Sequence, residues 1–376
     1  MTKNCQFSFW ELQSFSQYDY VVVGSGIVGL STALSLREKH LNASILVLER
    51  GFLPTGASTK NAGFACFGSA TEIFDDLQVM PPEEVFELVQ MRWEGLQLLR
   101  KRLGDKAIDF KNYGGFELIS EKEKYILPEI NQINTLIEPL FKAKVFQENK
   151  HKVAEFGFKK TDTIIENSYE GQIDTGKMMR ALIELAISNK IEIKTGAEVV
   201  DIQENGNNVL LKIKNIAFEL KAKNLIICSN AFTKSLLPKI DMFPGRGQVV
   251  ITKPLKNLPF KGVFHFDKGY YYFRNFGNRV IFGGGRNAFL KQETTTDLEC
   301  TENVLENLYQ KLSEIILPGK EFEIEHFWSG IMAFGNTKQP VVEQMSKNVF
   351  TAVRLGGMGV AIGSLLGKKV VETFEL

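Results

Sequence analysis

The sequence is poor in the residues that build metal centres and disulfide frameworks: its 376 residues include four cysteines and four histidines. Cys5, Cys66, Cys228 and Cys300 lie far apart and form no CxxC pair. That spacing argues against a zinc ribbon, a dithiol redox motif or a secreted disulfide scaffold, and a reducing, cytoplasmic setting is the expectation. An excess of either charge is missing too, since 45 Lys plus Arg stand against 44 Asp plus Glu. Neither a nucleic-acid partner nor an anionic membrane surface is therefore expected. No apolar run approaches the roughly 20 residues that span a bilayer. The opening MTKNCQFSFWELQSFSQYD carries acidic and amide groups where a signal peptide is apolar.

What is present is ordinary for a globular enzyme: 44% apolar and 24% charged residues. The length suggests two domains.

Tyr20 to Val23 form a short continuous apolar run, as in a parallel strand buried on both faces. The run GSGIVGLSTALSL follows at once and places Gly24, Gly26 and Gly29 in GxGxxG spacing ahead of a helical apolar pattern. Gly24 permits a tight turn, Gly26 lets backbone approach a pyrophosphate, and Gly29 allows helix to pack on strand. The amides of Ser25, Gly26, Ile27 and Val28 then open the helix toward the diphosphate. A second apolar run, Ala43 to Leu48, ends in Glu49, 20 residues beyond Gly29 and suited to a ribose diol. This pattern predicts a dinucleotide site, and the acidic residue disfavours NADP.

The fingerprint does not separate FAD from NAD, but its surroundings do. After Glu49 comes RGFLPTGASTKNAGFACFGSA, whose Gly56, Ala57, Ser58, Ala62 and Gly63 let main chain lie against a large planar ligand. A flexible surface loop is the bland alternative for such a composition. At the far end, Thr351 to Val353 read as a strand end, followed by Gly356, Gly357, Met358, Gly359 and Val360 opening a second helix. Its N-terminus supplies partial positive charge, suited to the negative charge a flavin acquires on reduction.

These residues resemble the D-amino-acid-oxidase-like FAD oxidoreductases, which include glycine oxidase, sarcosine oxidase and the γ-glutamylputrescine oxidase type. The resemblance runs through SFWE, DYVVVGSGIVGLSTAL, GASTKNAGFA, GQIDTGKMMRAL, TGAEVVDI, KNLIICSNAFT, YYYFRNFGNRVIFGGGRN, WSGIMAFGNTKQPVV and RLGGMGVAIG, in that order. It implies an α/β Rossmann-like FAD domain with a parallel sheet, made of discontinuous pieces, and a second, α+β domain with a mixed antiparallel sheet for substrate. By similarity, Gly24, Gly26 and Gly29 bind the diphosphate, and Glu49 with Arg50 holds the adenosine ribose. Val199 meets adenine through its backbone, and Asn230 and Ala231 lie along the diphosphate. Ala57, Ser58, Asn61, Ala62 and Gly63 pass over the isoalloxazine, with Gly356 to Val360 at its pyrimidine end. The implied reaction is oxidation of a C–N bond by hydride transfer from an amine-bearing carbon to flavin N5, giving an imine.

On the substrate side, Tyr270, Tyr272 and Arg274 share one strand face by the two-residue period, and the resemblance favours Tyr270 as a carboxylate partner. Sheet packing is the alternative role for such aromatics. His265 is a possible proton acceptor, although a lone histidine is more often structural. Where amino-acid-specific members carry a carboxylate-binding arginine, this chain has Met332. An amino-acid substrate then depends on Arg274, Arg286 or Lys338; otherwise a neutral or polyamine-like substrate is favoured. WSGIMAFG offers no cysteine for flavin attachment and Cys66 reads as a small hydrophobe, so noncovalent FAD is expected. Oxygen or another acceptor reoxidises it. The alternatives are a same-fold enzyme acting on a 2-hydroxy acid or a modified tRNA base, and a redox-inactive FAD-binding subunit. Residues 1–72, 151–232 and 323–376 are expected in the FAD domain, and 73–150 and 233–322 in the substrate domain.

Overall fold

The computed structural model describes residues 7–376; Cys5 lies outside the described residues. SFWE proves to be a helix start. Ser8 caps the helix Phe9–Phe15, and the Glu11 carboxylate accepts back from the Ser8 amide at 2.7 Å.

The apolar run at Tyr20 to Val23 ends the strand Gln17–Val23, which pairs in parallel with Ile45–Leu48 on one side and Glu219–Ile227 on the other. Glu192–Lys194 and Val349–Val353 extend the parallel sheet outward, and Val341–Ser346 closes one edge antiparallel. The hairpin Val199–Asn205 and Asn208–Ile213 joins antiparallel to Glu219–Ile227. Its turn uses Gly206 at φ +63°. Strands near both ends of the chain thus flank Glu219–Ile227, and the carboxyl ends of these parallel strands share one edge.

Two helices leave that edge side by side, Ile27–Lys39 and Gly359–Thr373. Glycine makes their contact possible: a Cβ at Gly363 would lie 2.7 Å from Ile27 Cγ2, and one at Gly367 would lie 2.6 Å from the Thr32 amide. Ser31 and Ser364 meet between them at 3.2 Å. Because Ile27 meets Gly363 and Thr32 meets Gly367, the helices run in the same direction with their N-termini together.

The second sheet runs Ile324–Phe334, Phe243–Thr252, Arg279–Gly284, Tyr271–Phe276, Val263–Phe266, Gly115–Ile119, Thr163–Asn167, Phe146–Glu148. Every pair in it is antiparallel except Val263–Phe266 with Gly115–Ile119. Phenylalanines fill one face; Phe264 and Phe273 stack at 4.6 Å between centroids. The helix Glu302–Lys311 covers them through Val304 and Leu308.

Three expected boundaries shift. Thr163–Asn167, placed in the flavin-side piece starting at 151, pairs with Gly115–Ile119. Ile324–Phe334, placed in the piece starting at 323, pairs along its length with Phe243–Thr252. The helix Pro82–Leu103, placed with the substrate segments, carries Leu96 and Leu99 into the core of the parallel sheet, and a Cβ at its Gly95 would lie 2.3 Å from the Ala361 carbonyl. Strand partners and helix neighbours are long-range choices that local periodicity does not encode. The 3-10 stretch Glu121–Glu129 leads into the helix Ile130–Phe141.

Candidate active site

One cavity of about 880 Å³ runs from the carboxyl edge of the parallel sheet to the inner face of the second sheet. At its first end are Gly24, Gly26, Ile27, Val28, Glu49, Arg50, Val199 and Asn230; at the other are Ala57, Ser58, Asn61, Ala62, Gly356, Gly357, Met358, Gly359 and Val360, with Tyr270 and Tyr272 beyond. The expected residues are brought together. Ser25, Gly29, Gly63, Ala231 and Arg274 do not line the cavity.

Four of these support it from behind. Ser25 is fully buried and donates its hydroxyl to Glu49 at 2.7 Å. Gly29 acts as the packing glycine, since a Cβ there would lie 1.8 Å from the Gly24 carbonyl oxygen. Gly63, at φ +76°, leaves space for the Ile173 carbonyl and the Arg274 guanidinium. Ala231 is buried among Ile240, Met242 and Ile331.

Glu49 is only 7% exposed, and its carboxylate is oriented by Ser25 and by the Gly51 amide at 2.9 Å. Arg50 lies 3.6 Å over the Phe232 ring, a cation–π contact at the mouth of this end. Gly26 and Met358, which precede the two helices, contribute no side-chain cap, so helix-terminal amides and the positive dipole ends face the cavity.

The small-residue segment is pinned, contrary to the loop alternative. Ser58 Oγ accepts from the Ile27 amide at 2.9 Å. Asn61 Oδ1 accepts from the Gly63 amide at 2.9 Å and from Thr175 Oγ1 at 2.8 Å. Trp328 Nε1 donates to the Lys60 carbonyl at 2.8 Å. Arg274 donates to the carbonyls of Ala62, of Ile173 at 3.1 Å and of Asn275 at 3.2 Å. Arg274 therefore departs from its expected substrate role: its guanidinium is buried, pulled by burial to about 10, and engaged by main chain. The two-residue period put it on the right face but could not show where so long a side chain ends.

Tyr272 lines the cavity with its hydroxyl free of any described partner, and burial pushes it up to about 12. Phe64 meets it edge-on at 5.6 Å and meets His265 at 5.2 Å. His265 is buried, its Nε2 has no partner among the described residues, and burial lowers its basicity. Met332 faces the second glycine turn, its Sδ 3.5 Å from where a Gly357 Cβ would be. Cys66 lines the cavity as a buried thiol raised well above its ordinary value.

Several cavity-lining or adjoining groups escaped the sequence. Glu72 lines the wall beside His265; its spacing from Ser69 signals a helix capping box, and that is present, but nothing local signals a cavity. Behind it, Glu117 accepts from Thr71 and Glu170 accepts from the Phe67 amide at 3.1 Å. Burial raises these carboxyls to about 7 and about 8. Arg354, in the left-handed region at φ +66°, binds Asp241 at 2.7 Å and the Gln339 carbonyl at 3.0 Å, closing the loop around Thr337.

The residues present fit FAD. Two helix starts whose preceding residues give no side-chain cap, an oriented carboxylate and a pinned stretch of small residues lie along one elongated cavity, and a Cβ at Gly56, Gly356 or Gly359 would meet no protein atom within 4 Å. The comparisons agree. The chain is 24% identical over 383 residues to γ-glutamylputrescine oxidoreductase of Escherichia coli K12, covering 94% of this chain and 83% of that protein. It is 21% identical to a probable oxidoreductase OrdL of Haemophilus influenzae, covering 99% and 86%. Solved structures with a similar fold include an L-proline dehydrogenase from P. horikoshii, with TM-score 0.77, 19% identity and coverage of 96% and 93%. A glycine oxidase from Geobacillus kaustophilus also reaches 0.77, with 19% identity and 95% of each chain covered. The model of the DAO family, described as FAD dependent oxidoreductase, matches residues 19–373, and the chain belongs to that family of FAD-dependent oxidoreductases.

Proposed function

We propose that the protein oxidises a C–N bond of an amine or amino-acid-like substrate, leaving an imine that water hydrolyses. The observation that carries this is the placement of Tyr272, Met332 and Phe64 on a wall beyond the pinned segment and the second glycine turn. The names of the relatives, a γ-glutamylputrescine oxidoreductase and a glycine oxidase, support the same chemistry.

Glu49 and Arg50, the glycine turn from Gly24 to Val28, Val199 and Asn230 would hold the adenosine and diphosphate of FAD. The segment from Ala57 to Gly63 and the turn from Gly356 to Val360 would hold its ring. Bound there, FAD supplies the two-electron acceptor that takes the hydride. The contacts are noncovalent: Cys66 and Cys228 line the cavity, and burial keeps both as thiols. Oxygen or another acceptor then restores the oxidised flavin.

The protein's own part is positioning and exclusion of water. Phe64, Met332 and Phe334 make the wall apolar, which favours the neutral amine over the ammonium and prepares its lone pair to assist bond cleavage. Tyr272 orients substrate through its free hydroxyl, with Tyr270 at the rim. Arg274 acts as a positioning residue for the segment under the flavin. The parallel sheet serves as the flavin-binding domain and the second sheet as the substrate-binding domain. Among the described residues Cys66, Cys228 and Cys300 are free, which supports a reducing, cytoplasmic setting.

Anaerobic mixing of the FAD-loaded protein with amines, amino acids and 2-hydroxy acids tests this proposal. Bleaching of the oxidised flavin band by an amine, with imine-derived carbonyl product, is the expected result. Bleaching by hydroxy acids alone would overturn it.

A further inference from the structure

The substrate wall contains a guanidinium that the fold does not satisfy. Arg286 follows Gly284 at φ +123° and Gly285 at φ +78°, two left-handed residues that swing the chain off the end of the strand Arg279–Gly284. The Gly285 amide donates to the Tyr270 carbonyl at 3.0 Å, which ties Arg286 to Tyr270. The Arg286 side chain then passes over Gly245, where a Cβ would lie 3.5 Å from its Cδ and 2.5 Å from the Phe334 ring. Its guanidinium carbon rests 4.0 Å from the centroid of that ring.

Tyr272 crosses the same sheet in the same way. A Cβ at Gly283 would lie 2.8 Å from its ring, and one at Gly247 would lie 3.6 Å from its hydroxyl and 2.9 Å from Met332 Cε. Glycines on neighbouring strands thus let two long side chains lie flat and converge beside Met332 and Phe334, which are two residues apart on one strand face.

Arg286 Nη1 is enclosed yet has no acceptor among the described residues. The carboxylate that acts on it from nearby, Glu293, is already engaged by Arg246 at 2.7 and 3.0 Å and by Gln248 at 3.0 Å. The two other cations that could stand in for the residue at Met332 are occupied: Arg274 by main-chain carbonyls and Lys338 by Asp76. An enclosed cation lacking a partner is costly, and an anionic ligand would relieve that cost. Burial already lowers its basicity.

We propose that Arg286 is the substrate anchor, binding a carboxylate carried by the amine that this cavity oxidises, with Tyr272 as a second donor. The placement beside Met332 means that the anion is met from the neighbouring strands rather than from the strand Ile324–Phe334. The proposal rests on the amine-oxidising function for the choice of substrate, but the anchor itself is testable without turnover.

The FAD-loaded protein is titrated with 2-aminobenzoate and with 2-aminobenzamide, following the perturbation of the flavin spectrum and, independently, the heat of binding. The wild type is expected to bind the carboxylate and to bind its amide at least about tenfold more weakly. Arg286→Met is expected to weaken the carboxylate roughly thirtyfold or more, the loss of a charge-assisted hydrogen-bonded pair, with FAD content and melting temperature maintained. Arg286→Lys should fall between, because an ammonium keeps the charge and loses the planar fork. Equal wild-type affinity for carboxylate and amide would overturn the anchor, and so would unchanged carboxylate affinity in Arg286→Met. Oxidation of carboxylate-free amines in preference to carboxylate-bearing ones would also overturn it while leaving the amine-oxidising function standing. Carboxylate binding that depends on Arg286, with no amine bleaching the flavin, would support the anchor and sink that function.

Discussion

Arg274 reaches from the second sheet to donate to the carbonyl oxygen of Ala62, so the segment expected beneath the flavin is held by a side chain of the substrate-side layer. The same guanidinium takes the Ile173 carbonyl at 3.1 Å. One buried residue therefore ties the second sheet to the small-residue segment and to the chain at Ile173. Arg274→Met keeps the apolar stem and strands these carbonyls without donors, with an expected loss of about 3 kcal/mol in stability and weaker FAD retention. Urea unfolding and FAD titration of the apoprotein check this; wild-type values for both would show that the coupling carries no weight.

Two glycines of the flavin site should respond in opposite ways. A Cβ at Gly29 would lie 1.8 Å from the Gly24 carbonyl oxygen, which is backbone and cannot turn aside. Gly29→Ala is expected to cost about 3 kcal/mol or more, or to prevent folding. At Gly359 a Cβ meets no protein atom within 4 Å, so Gly359→Ala should melt at the wild-type temperature. It should nevertheless bind FAD about tenfold more weakly, because the methyl group enters the space proposed for the ring. Melting curves with and without FAD separate the two cases.

Tyr272→Phe removes a hydroxyl that bonds to no described residue. The apoprotein should be unaffected in stability and FAD affinity, while kcat/KM for the best amine falls about tenfold or more, the value of one hydrogen bond to substrate. Steady-state kinetics beside an FAD titration would decide the matter. A parallel loss of FAD affinity would reassign Tyr272 to the flavin.

Stability should fall as pH rises through neutrality. Burial lifts Glu117 to about 7 and Glu170 to about 8, against an ordinary value of 4.5. Between the ordinary and lifted values the folded protein keeps protons that the unfolded chain releases, so the slope of unfolding free energy with pH is negative. The contribution is fully present below the ordinary value, lost as pH climbs through about 7 to 8, and flat beyond. Urea midpoints at several pH values should show that decline, and the double variant Glu117→Gln with Glu170→Gln should flatten it.

Much of the flavin end was legible because its signals are local. A close approach of backbone to ligand or to strand demands glycine at fixed spacing, and Gly24, Gly26 and Gly29 announce it within one turn. Glu49 follows from the length of one βαβ unit. The substrate end was far less legible. Tyr270 and Tyr272 could be placed on a strand, but the course of Tyr272 depended on Gly283 and Gly247, that of Arg286 on Gly245, and that of Arg274 on the space left by Gly63. Glu72, Glu117 and Glu170 come from three separate segments, and neither the place of Glu72 on the cavity wall nor the burial of Glu117 and Glu170 has a local trace.

By itself the sequence determined the dinucleotide turn, the second glycine turn and the family to which both belong, since each depends on a few adjacent residues and on backbone sterics. Only the tertiary structure decided which strands pair, that Pro82–Leu103 packs on the helix from Gly359, and that Arg286 lines the cavity while Arg274 does not. Those outcomes depend on contacts between residues distant along the chain, where one pairing or one rotamer moves a charge from the cavity to a carbonyl.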